Sequence, residues 1–254
     1  MRIVVKVGSA VLTQNSTIAL ERLAGLVEFL VELRRKNEVL LVSSGAVSAG
    51  YTQLALDRSI LANKQALAAI GQPVLMHKYA HEFSKYEVIT SQVLVTAANL
   101  RKEDDISRIQ NTINTLLVNG ALPIINENDA TATDELEVGD NDQLSAYIAK
   151  HMDADRLVIL SDIDAYYDSD PRKNENAKVR KIVHSITPQE LSAEVTPNSI
   201  FATGGIVTKL KAASYLLDAG IDTFLASGFD LSDAKSFLLE ECHNGGTLFS
   251  KEVE

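Results

Sequence analysis

The sequence predicts an α/β protein built on a mostly parallel sheet with helices on both faces. Three observations carry that prediction. Short apolar runs rich in Val, Ile and Leu recur along the chain. Stretches with apolar residues at helical spacing stand between them. Polar, glycine-bearing segments follow the apolar runs, and in such sheets ligands bind at the carboxyl ends of the strands.

The elements follow in order. Residues 2–7 read as a strand that carries Lys6 and runs into Val7-Gly8-Ser9. Residues 19–36 read as an amphipathic helix, with Leu20, Leu23, Ala24, Val27, Leu30 and Val31 on one stripe. Residues 38–42 form the next strand, and Ser43-Ser44-Gly45-Ala46 leads from it into a helix. Residues 63–86 are helical, and Gly71 and Pro73 are expected to bend that helix or split it in two. Residues 87–95 are β-branched and strand-like. Residues 106–119 are helical, with Gly120 as the stop. Residues 121–125 read as a buried strand, 131–138 as an exposed hairpin or loop, 141–151 as a helix and 156–160 as a strand. After Phe201-Ala202-Thr203-Gly204-Gly205 comes a helix with Ile206, Leu210, Ala213 and Leu217 on its apolar stripe. Gly220 ends it, and residues 221–226 return as a strand.

With 254 residues and 46% hydrophobic content, the chain supports one large α/β domain with ample core. Only five prolines and no low-complexity stretch leave no linker in view. The formal charge of −10 and the pI near 5.0 argue against a broad nucleic-acid surface. Cys242 is alone, so no intrachain disulfide forms and a reducing cytoplasm is expected. The first apolar stretch is too short for a signal peptide, and no run approaches the roughly 20 apolar residues of a membrane span.

Two lysines stand where a chain usually avoids charge. Lys6 lies at the end of the first strand, and Lys209 on the first turns of the helix after Gly204-Gly205. Converging cations with free backbone donors suit a transferring phosphoryl group. The segment from Ser43 to Gly50 is either a tight strand-to-helix turn or an anion site at a helix N-terminus. Its glycines have P-loop spacing, yet Tyr51 occupies the Walker lysine position. Asn126-Glu127-Asn128-Asp129 follows a strand, and Asp129 is a candidate for holding an ammonium group. In Gly139-Asp140-Asn141-Asp142, Asp140 suits an N-cap. Asp142 suits an anion between the two lysines, and Asn141 a donor to a substrate carboxylate. The acidic loop from Ser161 to Pro171 lacks the glycine and glutamate of an EF-hand, and reads as a nucleotide-side lid with Tyr166 offering a flat face. His77 and His81 have metal spacing without a third ligand.

Five segments in register resemble the amino acid kinase family: Lys-Val-Gly-Ser, Ser-Ser-Gly-Ala-Val-Ser-Ala-Gly, Asn-Glu-Asn-Asp-Ala, Val-Gly-Asp-Asn-Asp-Gln-Leu-Ser-Ala and Thr-Gly-Gly-Ile-Val-Thr-Lys. The resemblance runs from Lys6 to about Phe249. It implies a three-layer α/β/α sandwich with an open, mostly parallel sheet, the amino acid kinase fold. Residues 1–254 would form a single domain, with glutamate over the N-terminal half and ATP over the C-terminal half. The implied reaction moves the γ-phosphoryl group of ATP to the side-chain carboxylate of L-glutamate, the first step of proline synthesis. Lys6 and Lys209 would stabilise the transferring group and Asp142 would orient both. Gly8 and Ser9 would add donors. Ser44, Asp129 and Asn141 would bind glutamate. Ser161, Asp162 and the segment Thr203, Gly204, Gly205, Ile206, Val207, Thr208 and Lys209 would bind ATP.

The resemblance also implies Mg2+ held by phosphates and water with no dedicated protein ligands, a homo-oligomer (dimer or tetramer), feedback inhibition by proline, and hand-over of the product to glutamyl phosphate reductase. Ala165 and Ala202 depart from the glycines of many relatives. The chain ends before the C-terminal PUA domain of many bacterial members could start. Two other readings stay open: another phosphotransferase of the same family, and a non-catalytic amino-acid or nucleotide sensor on this scaffold.

Overall fold

The computed structural model describes residues 1–15, 17–96, 98–131, 141–192 and 204–252. Most of residues 131–138, together with Gly139, Asp140, Ala202 and Thr203, lie outside them. In chain order the elements are β1 (Arg2–Val7), α1 (Ser9–Leu12), β2 (Thr13–Gln14), β3 (Thr17–Ile18), α2 (Leu20–Leu33), β4 (Glu38–Ser43), α3 (Ala46–Tyr51) and α4 (Leu61–Ser84). Then come β5 (Thr90–Val95), α5 (Glu103–Val118), β6 (Leu122–Glu127), α6 (Asn141–His151), β7 (Arg156–Ser161), β8 (Ile182–Val183) and α7 (Pro188–Leu191). The chain closes with α8 (Gly204–Asp218), β9 (Asp222–Ser227), α9 (Ser232–Leu239) and β10 (Thr247–Phe249).

Eight strands form one sheet in the order β5-β6-β4-β1-β7-β9-β10-β8. The first six are mutually parallel, β10 runs antiparallel to β9, and β8 parallel to β10. The two-residue strands β2 and β3 form a separate hairpin. A period of two splits β1 between the faces. Ile3, Val5 and Val7 pack in one cluster with Leu26, Leu30 and Phe83 of α2 and α4. Val4 packs in the other, with Ala146 and Ile148 of α6 and Leu210 and Leu216 of α8. Lys6 shares the parity of Val4, so its side chain emerges on the face covered by α6 and α8.

The expected split of the helix at residues 63–86 does not form: α4 is continuous, with Pro73 inside it. Two glycines bring it against α3. A Cβ on Gly71 would lie 1.8 Å from the Ala46 carbonyl oxygen, and one on Gly50 would lie 1.9 Å from that of Leu67. Their absence lets α3 and α4 approach backbone to backbone. Pro73 denies the Ala69 carbonyl its helical donor, but both residues are exposed, so water satisfies it. Tyr166 is another correction. Its ring is 2% exposed and stacks on Phe249, with the Arg180 guanidinium 4.9 Å from its centroid, so it offers no open flat face.

Candidate active site

Whereas His77 and His81 lie in the C-terminal half of α4, the described residues expected to bind substrates or stabilise the transferring group sit at the carboxyl ends of the parallel strands or on the opening turns of the helices beyond them. The sheet order explains why. From β1 the chain moves to one side, through β4 and β6, and then crosses to β7 on the other. The crossing element is α6, which packs over β1. Its N-terminus therefore lies at the point where the connections diverge, the usual place for a ligand crevice.

Asp142, on the first turn of α6, is fully buried, and both lysines converge on it. Lys6 Nζ pairs with Asp142 Oδ1. Lys209 Nζ lies 3.0 Å from Asp142 Oδ2 and also donates to the Gly205 carbonyl at 3.0 Å. Thr208 Oγ1 donates to Asp142 Oδ2 at 2.8 Å. Lys6 and Lys209 are only 3% and 5% exposed. Burial by itself would push the Asp142 carboxyl up; the two lysines outweigh it and hold the group below the usual carboxylate range. Lys209 stands near the positive end of the α8 dipole, an unfavourable place for a cation. The Asp142 carboxylate and the Gly205 carbonyl offset that cost. One buried anion thus keeps two distant cations together.

A turn fixes the next residues. Gly45 has φ +107°, a conformation that favours glycine, and Ser44 N–H donates to the Val7 carbonyl at 3.2 Å. Behind it, Tyr79 Oη and Ser43 Oγ share a buried hydrogen bond of 2.9 Å. Asn141 Nδ2 reaches the Ser43 carbonyl at 3.1 Å, Ser44 Oγ at 2.9 Å and Asn126 Oδ1 at 3.0 Å. The expected donation from Asn141 to a substrate carboxylate is therefore not available without displacing one of these acceptors. Asp129 and Glu127 stand at the end of β6, beside a cavity of about 190 Å3 that Gln72 and Gln92 also line. Burial raises the Asp129 carboxyl. Burial and the Asp129 charge push Glu127 up to about 7.

The remaining candidates divide. Asp162 is exposed and lines a cavity of about 370 Å3 with Ile163, Ala165, Tyr167, Arg172 and Ile206. Gly204, Gly205 and Thr208 lie on the opening turns of α8. Ile206 and Val207 both pack in the core, and Ile206 also lines that cavity. Ser161 is buried, and its hydroxyl shapes the turn by donating to Asp162 Oδ1 at 2.9 Å. Gly8 is a correction: its N–H already donates to the Leu160 carbonyl at 3.0 Å, so only Ser9, exposed at the start of α1, follows the expectation of a free donor there.

Sequence reasoning missed Gln72 and Gln92; it marked the segment Asn126-Glu127-Asn128-Asp129 as a site at a strand end without giving Asn126 or Glu127 a role of its own. For Gln72 a signal existed: it interrupts the buried stripe Ala68, Leu75, Tyr79 and Phe83 of α4 at helical spacing. A buried amide on an apolar stripe needs a partner.

These features, two lysines converging on a buried aspartate at the switch point of a parallel sheet, agree with what comparison shows. The profile of the amino acid kinase family matches residues 1–227, and the chain belongs to that family. Within it, a glutamate 5-kinase from Leishmania donovani is 52% identical over 252 residues, covering 99% of this chain and 96% of its own length. A glutamate 5-kinase from Wolinella succinogenes is 52% identical over 253 residues, with 98% and 97% covered. Among solved structures, a carbamate kinase from Giardia lamblia superposes with a TM-score of 0.68 at 15% identity, covering 99% of this chain and 98% of that one. At that identity the likeness supports the fold alone.

Proposed function

We propose that this chain transfers the γ-phosphoryl group of ATP to the side-chain carboxylate of L-glutamate, the reaction named by its 52%-identical relatives. The convergence of Lys6 and Lys209 on buried Asp142 is the observation that carries the reading. A carboxylate is already a nucleophile at neutral pH, so no general base is needed. The barrier lies in bringing one anion to another. Two fixed cations lower it by neutralising the oxygens of the group in flight, at no cost of reorganisation during the step. Asp142 holds them at the required separation and, being buried, does not exchange them for solvent.

The glutamate acceptor lies beside Ser44, Asp129 and Asn141. ATP lies over the 370 Å3 cavity, with its phosphates at the N-terminus of α8, where first-turn N–H groups lack helical partners. Among the described residues, no group of three Asp, Glu, His or Cys stands close enough to hold a metal. Mg2+ would come in with the nucleotide and supply further charge neutralisation there. Self-association, inhibition by proline and delivery of the acyl phosphate to a reductase belong to the same reading. Among the described residues, no helix is long and apolar enough to cross a membrane.

Glutamate-dependent ADP release, with hydroxylamine trapping of the acyl phosphate, tests the proposal. Trapped hydroxamate that appears only with both substrates is the expected result. ADP release with carbamate or UMP and not with glutamate would move the chain to another member of its family. Binding without turnover of any acceptor would make it a sensor.

A further inference from the structure

A line of hydrogen-bonded amides runs through the candidate site without touching the two lysines. Gln92 Oε1 on β5 accepts from Gln72 Nε2 on α4 at 3.2 Å. Gln72 Oε1 accepts from Asn126 Nδ2 on β6 at 2.9 Å. Asn126 Oδ1 accepts from Asn141 Nδ2 at the start of α6 at 3.0 Å. An amide can present either end to a neighbour, so such a line has two possible senses. Backbone groups choose between them here. The Glu127 N–H, which can only donate, meets Asn126 Oδ1 at 2.9 Å. The Ser43 carbonyl, which can only accept, meets Asn141 Nδ2 at 3.1 Å. Turning any one amide over would set donor against donor or oxygen against oxygen. Gln72 and Asn126 are 8% and 2% exposed, so water does not replace a lost partner cheaply.

This sense decides what Asn141 shows to a ligand. The two hydrogens on its Nδ2 already serve three acceptors: the Ser43 carbonyl, Ser44 Oγ and Asn126 Oδ1. Its Oδ1 remains, and among the described residues no donor reaches it. An oriented acceptor favours a donor such as an ammonium group over an anionic group, and Asn126, which fixes its sense, precedes Glu127 at the end of β6. We propose that Gln72 is a positioning residue, which through Asn126 turns Asn141 so that its Oδ1 receives the substrate's ammonium group. The inference rests on the reading of the substrate as an amino acid.

Kinetics of the wild-type protein, Gln72→Met and Gln72→Glu test it. Methionine keeps the length of the side chain and removes the acceptor; glutamate keeps an acceptor for Asn126. The expected result for Gln72→Met is a KM for L-glutamate raised about tenfold, as for the loss of one oriented hydrogen bond, with kcat and the KM for ATP within about twofold. Gln72→Glu is expected within about threefold of wild type on all three. Inhibition by glutarate, the same diacid without its ammonium group, is expected to be the same in wild type and Gln72→Met. An unchanged KM in a folded Gln72→Met protein, or glutarate inhibition weakened as much as glutamate binding, would overturn the inference. If Gln72→Met does not fold, Gln72→Glu decides: near-normal KM upholds the role and a tenfold rise overturns it. A wild-type protein that fails to phosphorylate L-glutamate overturns the functional reading and this inference with it; an active wild type beside a flat KM overturns only the inference.

Discussion

Lys6, Lys209 and Asp142 form a unit in which removing a cation and removing the anion have different costs. Truncating either lysine leaves Asp142 paired with the other, so folding survives while one preorganised charge is lost. Lys6→Ala and Lys209→Ala are each expected to lower kcat on the order of 10²–10³-fold with near-normal thermal melting. Asp142→Asn does the reverse to stability. It leaves two buried cations facing each other, and unfolding titrations should show a loss of about 3–5 kcal/mol, the usual result of breaking a buried pair. Because the Asp142 carboxyl is held low in the fold, its contribution is complete above the ordinary carboxylate range and is lost as pH falls toward the depressed folded value. Glu127 has the opposite sign. Burial and Asp129 raise it to about 7, so its ionisation penalises the fold increasingly between its ordinary value and neutrality. Ionised, it adds negative charge to the cavity proposed to receive the ammonium group of glutamate. The KM for glutamate is therefore expected to fall severalfold between pH 6 and pH 8, and Glu127→Gln should flatten that profile.

At the scale of elements, the interlocked glycines of α3 and α4 show what a sequence pattern hides. Gly71 and Pro73 read locally as helix breakers, and so the sequence suggests a bent or divided helix. Gly71 instead serves contact, since its missing Cβ admits the Ala46 carbonyl. Gly71→Ala has no room to relax, because the obstructing atoms are backbone. It is expected to lower the thermal midpoint and, by shifting the turn at Ser44, to raise the KM for glutamate; unchanged melting would contradict the packing account. Strands β1, β4, β7 and β9 and helix α6 were legible because long apolar runs and a clear helical stripe bound them. The pairs β2–β3 and β8–β10 were not, since two or three residues carry no measurable period. Lys6, Lys209 and Asp142 were legible as anomalies of charge. The relay through Gln72 and Asn126 was not, because its partners come from α4, β5, β6 and α6 and meet only after folding.

In the whole molecule, β1 separates the two regions proposed for the substrates, with Ser44 and Asp129 on the β4–β6 side and the 370 Å3 cavity on the β7–β9 side. A non-hydrolysable ATP analogue should therefore raise the melting temperature without glutamate present, and glutamate should add to it. The opposite margin of the sheet is β5, an edge strand flanked by α4 and α5, with Tyr86, Ile89, Leu94 and Val118 exposed nearby. A sheet edge with apolar neighbours invites pairing with another copy. Light scattering should show an oligomer that Ile89→Asp reduces in mass.

The depth of the lysine–aspartate cluster carries a last consequence. Mobile ions in the surrounding electrolyte damp the attraction between surface charges, but they do not enter a packed interior. Capture of the anionic substrates from bulk should weaken as salinity rises. The rate at saturation should barely change, because the field that acts on the departing phosphate originates behind a wall of protein that dissolved salt does not cross.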